Sequence, residues 1–181
     1  MLSVIVVAVL LFLSMQTFPV AMGVDMKKSQ LWGVAFVLLL AALQGGLFWI
    51  GFKLGELFMY FMDGFRGVVL FLGFSLIGIR MLMEVFHIRK GERTYIVEKP
   101  GHIILAGLAQ AMNTLLAGLL FTYITTTLPV YEILFGSSFV LATAGVWMPS
   151  SKTNLSLASL FYLLGGLVML IAGVYLAFFA V

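Results

Sequence analysis

Six apolar runs, each about as long as a bilayer is deep, constrain this chain more than any other feature: 2–24, 30–52, 65–87, 102–126, 129–149 and 156–180. Crossing a hydrocarbon core about 30 Å thick takes about 20 apolar residues in a helix. Lipid offers no water to backbone N–H and C=O groups, so a spanning segment is a helix or a strand of a closed barrel. Barrel strands are short, about 9–11 residues, and alternate apolar with polar positions. The runs here are too long for that and do not alternate, which predicts an all-α integral membrane protein of six transmembrane helices. Composition agrees where it discriminates. Only 9% of the 181 residues are charged, against roughly 25% in a soluble domain whose surface meets water.

Several function classes fall away at once. The chain has no cysteine, so disulfides, thiolate ligands and thiol redox chemistry are excluded. The net charge of +3 is spread over loops and gives no argument for nucleic acid as a partner. The first run lacks a basic leader, and Phe18-Pro19-Val20-Ala21-Met22-Gly23 makes a poor cleavage site. It is read as a retained first span.

The one strongly charged stretch, from His87 to Lys99, divides the chain almost in half. The expected organisation is a first three-helix repeat over 1–88, a cytoplasmic linker over 89–101, and a second three-helix repeat over 102–181. With the N-terminus outside, the inner loops hold Lys27, Lys28, Arg89, Lys90, Arg93, Lys99 and Lys152, and the outer loops only Lys53 and Arg66. That bias of basic residues predicts both termini outside the cytoplasm of a bacterial inner (plasma) membrane.

Three spans per half would make similar halves inverted in the membrane. Span one reads Ser14-Met15-Gln16-Thr17-Phe18 and span four Ala111-Met112-Asn113-Thr114-Leu115, with Met, a carboxamide, Thr and a large apolar residue at matching offsets. Spans three and six share glycine-rich apolar ends. Inverted repeats around a midplane site are a common transporter plan.

Polar groups at membrane depth are the informative residues, since each costs free energy unless paired or used. Gln16 lies near the middle of span one, with Pro19 three residues on, where a freed backbone carbonyl is a candidate oxygen ligand. Gln110 and Asn113 share a helical face of span four, and Gln44 precedes Gly45 and Gly46, where a neighbouring helix is expected to approach closely. Thr17 and Thr114 complete the candidate set for binding, and Gln16 with Asn113 is the candidate metal pair. The same residue types also join helices through interhelical hydrogen bonds, and that plainer reading stands beside the functional one. The eleven methionines read as packing, and His87 and His102 as interfacial anchors. Ser14, Ser75 and Thr17 have no His or acid at helical spacing, so no catalytic residues and no cofactor are expected.

These residues resemble the MntP-type putative manganese efflux pumps, a six-helix family within the LysE-type exporter superfamily. The resemblance rests on Ser14-Met15-Gln16-Thr17-Phe18-Pro19 in span one and Ala109-Gln110-Ala111-Met112-Asn113-Thr114-Leu115-Leu116-Ala117-Gly118 in span four. It rests further on Leu76-Ile77-Gly78-Ile79-Arg80-Met81-Leu82-Met83-Glu84 in span three and on Leu164 through Val174 in span six. It implies two three-helix repeats, external termini and manganese export. It also implies an intramembrane aspartate at positions 16 and 113, where this chain has Gln16 and Asn113. Every acid (Asp25, Glu56, Asp63, Glu84, Glu92, Glu98 and Glu132) lies in a loop or toward a span end by these boundaries. A hard divalent ion prefers carboxylate oxygens, so the departure falls where it matters most.

The resulting expectation is a multi-pass transporter exporting a small cation or small solute through a cavity between the halves. Lipid and that solute are its partners, and self-association into a homo-oligomer is left open. The alternatives are a structural or regulatory membrane protein that has lost the metal site, and a LysE-type exporter of a neutral solute.

Overall fold

The computed structural model describes residues 1–22, 30–90, 100–148 and 151–179; Lys27, Lys28, Arg93, Lys99 and most of the 89–101 linker lie outside them. The elements are α1 (Leu2–Ser14), α2 (Thr17–Ala21), α3 (Gln30–Phe58), a 3-10 segment (Met59–Phe65), α4 (Arg66–Arg89), α5 (Pro100–Phe121), α6 (Val130–Trp147) and α7 (Lys152–Phe179). No strand occurs among the described residues. α1 with α2, α3, α4, α6 and α7 give five apolar stretches long enough to cross a membrane. α5, a helix of 22 residues, is apolar from Gly107 to Phe121. The fold is that of a multi-pass helical membrane protein.

The first span is not one helix. It is interrupted between α1 and α2, and the cause is local. Pro19 has no N–H to bond the Met15 carbonyl one turn back. The backbone answers by tightening: Gln16 N–H donates to Leu13 O at 3.3 Å and Phe18 N–H to Met15 O at 3.3 Å, the three-residue pattern of a 3-10 turn. The Thr17 hydroxyl also donates to Ser14 O at 2.8 Å. The carbonyl freed by the proline, expected to serve as a ligand, is therefore occupied within its own turn. Gln16 sits at this tightened turn, toward the α2 end of the Leu2–Ala21 span.

α4 runs along α7, α3 along α5 and α6, and α1 and α2 lie against α6 and α7. In lipid, helices gain little from burying apolar side chains against each other, and close approach of small residues matters more. A Cβ on Gly78 would sit 2.8 Å from Gly166 O, and one on Gly166 2.9 Å from Gly78 O. At the α3–α5 crossing, Gly51 lies against the Leu115 carbonyl and Gly118 against that of Phe48. Gly45 and Gly46, which the sequence marked for close approach, have nothing near the position of a side chain. The tight crossing lies further along α3, at Phe48 and Gly51; the helix itself continues past 52 to Phe58, with Lys53 and Glu56 paired at 2.6 Å on its last turns.

Phe74, Ile77, Met81, Leu13, Leu134 and Met169 fill the interior, while Val4, Leu72, Ile79, Ile171 and Phe178 stand exposed on the outside of the bundle. Apolar residues turned outward in this way suit a lipid surround. The 3-10 segment carries exposed Tyr60, Phe61 and Phe65, an aromatic cluster of the type found where membrane meets water.

Candidate functional site

The two amides that the sequence singled out meet. The Asn113 side chain donates from Nδ2 to Gln16 Oε1 at 2.9 Å, joining residues 97 apart in sequence. Neither faces lipid, since Gln16 is 1% exposed and Asn113 3%. Gln16 Nε2 in turn points at the Met81 sulfur, 3.8 Å away. Gln16 reaches α5 from the turn between α1 and α2, and helical geometry in α5 sets Gln110 one turn before Asn113 on the same face.

Beside this pair lies a narrow cleft with about 20 Å³ open to a water-sized sphere, bordered by Gln16, Asn113, Gln110, Arg80, Glu84 and Tyr162 among others. That is room for about one water molecule. Asn113 Oδ1 and both amide atoms of Gln110 are buried with no hydrogen-bond partner among the described residues. Such groups cost about 1–3 kcal/mol each if left unmet. They are the oxygens and nitrogens of this site that are free to take a water or a solute.

Of the six candidate residues, three border the cleft and three do not. Thr114 donates from its hydroxyl to Gln44 Oε1, tying α5 to α3. Thr17 Oγ1 donates to Ser14 O and also lies 3.4 Å from Ser138 O, on α6. These three tie helix to helix, the plainer of the roles weighed for their type.

Sequence reasoning missed Arg80 and Glu84. Glu84 was expected in a loop or toward a span end, and Arg80 was named only within the span-three pattern. With Ile88 they recur at every fourth residue of α4 and line the cleft. Arg80 Nη2 donates to Ala109 O on α5 at 3.2 Å. The signal was present, since an arginine and a glutamate four apart inside an apolar run share one face, and lipid disfavours that face. Glu84 brings a carboxylate to the cleft, one turn past Arg80 and toward the end of the bundle where α4 finishes. Among the described residues no three His, Cys, Asp or Glu side chains come together, so no ready-made cage for a hard ion is visible there.

A family model described as "Putative manganese efflux pump" matches residues 25–177. The chain belongs to that family. The match covers Asn113, Gln110, Arg80 and Glu84 and begins after the span that carries Gln16. No curated protein and no solved structure matches the chain. Family membership together with the apolar helices makes this a membrane efflux transporter, of a family that transports and does not catalyse.

Proposed function

We propose that this efflux pump carries a small cation, manganese by its family, outward through the cleft that ends on Gln16 and Asn113. The observation that carries the reading is the direct bond between those two amides, one from each triplet of helices, at the head of a cleft with unpartnered oxygens. Among the described residues Glu84 is the one carboxylate bordering that cleft. It offers the negative charge that Gln16 and Asn113 lack, and it lies on the side expected to face the cytoplasm. The cleft is too small for a hydrated ion, so passage requires α4 and α5 to part. Export of a divalent ion against an inside-negative potential costs about 4.6 kcal/mol per 100 mV, which a coupling ion has to offset.

The plan proposed is two inverted triplets, in the plasma membrane, with both ends of the chain outside. Matching contacts in the two halves support it. Gly51 of α3 meets the carbonyl of Leu115 as Gly145 of α6 meets that of Phe18; Leu115 and Phe18 each lie two residues past their amide. Gly78 faces the Leu170 side chain as Gly166 faces that of Leu82. Thr114 bonds Gln44 as Thr17 approaches Ser138.

A second reading, export of a neutral solute, is favoured by one observation: the Arg80 guanidinium borders the same cleft and repels a cation. Proteoliposomes loaded with manganese separate the two. The cation reading expects flux that falls at least tenfold in the Gln16→Ala, Asn113→Ala double variant. Flux unchanged by that double substitution removes the assigned site. If wild type carries no manganese but Gln16→Asp with Asn113→Asp does, the pathway is intact and the neutral-solute reading is preferred.

A further inference from the structure

A second groove lies apart from the cleft, between the last turn of α4 and the first turns of α7. It measures about 400 Å³ and is lined by Arg89 and Val85 of α4 and by Thr153, Ser156, Leu160 and Leu163 of α7, among others. Its chemistry is sorted by depth. Arg89 and Thr153 stand at the end of the bundle, Ser156 one turn in, and the leucines beyond. From Thr153 to Leu163 the helix rises about 15 Å, which is the depth of one leaflet's hydrocarbon. Leu160 is 48% exposed and Leu163 38%, so the groove opens sideways, toward where lipid lies.

Arg89 makes no ion pair among the described residues. Lys152, exposed, opens the same turn of α7 as Thr153, and the first N–H groups of a helix favour an anion. The Ser159 hydroxyl is already committed to Ser156 O at 2.7 Å, which leaves Thr153 and Ser156 as the hydroxyls at the mouth. A guanidinium and two hydroxyls above an apolar trough one leaflet deep match a phosphate carrying an acyl chain. A free anion has no use for the leucines, and an uncharged lipid has no use for Arg89.

We infer that this α4–α7 groove is a binding site for one anionic phospholipid, its phosphate against Arg89, Thr153 and Ser156 and its acyl chain along Leu160 and Leu163. The site is independent of the cargo and of the cleft. Its occupant would bridge the two helices that cross at Gly78 and Gly166, at the end where Glu84 and Ile88 border the cleft.

The test is native mass spectrometry of the full chain released from nanodiscs holding equal amounts of phosphatidylglycerol and phosphatidylcholine with the same acyl chains. Wild type is expected to retain phosphatidylglycerol about fivefold in preference, the contribution of one arginine at a lipid surface. Arg89→Ala should bring the preference close to one, and Arg89→Lys should keep part of it. Leu160→Asn should lower retention of both lipids. Should Arg89→Ala fail to fold by circular dichroism, Ser156→Val provides the same comparison. No preference in wild type, or a preference untouched by Arg89→Ala or by Ser156→Val, overturns the inference. So does displacement of the lipid by inorganic phosphate, which would make the groove a site for the free anion.

Discussion

Asn113 gives one amide hydrogen to Gln16 and keeps its own oxygen free of any partner among the described residues. A bond of this kind inside a membrane is worth on average about 0.6 kcal/mol and at most about 1.7. A double-mutant cycle with Gln16→Ala and Asn113→Ala, read by unfolding in detergent, should therefore give a coupling of about 0.5–1.7 kcal/mol. Strictly additive losses would mean that the two side chains do not meet.

Glu84→Gln keeps the shape of the α4 face and removes its charge. Efflux of manganese, scored as resistance in a sensitive host, is expected to fall at least about tenfold, as when about 1.4 kcal/mol of interaction with the passing ion is lost. Glu132→Gln, in the first turn of α6 and away from the cleft, should leave resistance as it was. Equal effects at both positions would remove Glu84 from the path.

Glycine replacements should divide by position. Gly51→Ala and Gly118→Ala each drive a methyl into a backbone carbonyl of the facing helix, and overpacking of this kind costs about 1–3 kcal/mol. Gly45→Ala meets nothing within 4 Å and should be neutral or gain up to about 1 kcal/mol from helix propensity. Thermal midpoints of the three purified variants decide the matter, and a destabilised Gly45→Ala would count against the packing described.

Tyr123, in the turn after α5, has its ring 5.7 Å below the Arg66 guanidinium. Burial, and then the Asp63 carboxylate, hold its phenol above the usual 10, with Arg66 pulling the other way. The folded state therefore keeps a proton that the unfolded chain sheds. The stability linked to this proton is complete below pH 10 and is lost as pH rises through the raised folded value. Tyr123→Phe should lose less stability than wild type between about pH 9 and pH 11, measured as the shift of the unfolding midpoint. Equal losses would mean that the phenol is unperturbed.

The membrane architecture was legible because a span is written in one dimension, as length and hydropathy, and the family showed through the same apolar patterns. Gln16 and Asn113 stood out for the same reason, as carboxamides at mid-span. What the sequence did not carry was distance across the bundle. Glu84 looked like a residue of a span end, and Arg80 drew no notice as a site residue, because linear position gives depth and not which neighbour lies opposite. Gly45 and Gly46 looked like a crossing point, whereas the contact is made at Gly51 and Gly118, because where two helices touch depends on how they cross and not on sequence alone. The Met15 carbonyl looked free because its recapture by Phe18 depends on backbone tightening around Pro19.

Where one backbone rests on another without side chains between them, as at Gly78 with Gly166, Gly51 with Leu115 and Gly118 with Phe48, sliding is disfavoured, because a shift of one residue replaces hydrogen with a bulky group. Such joints tolerate rolling far better than translation. If the proposed cleft is the path, α4 with α7 and α3 with α5 would move as two pairs, and widening would come from their tilting apart. On that reading the seam to open would run between the two pairs, where α5 approaches α4 and the first span.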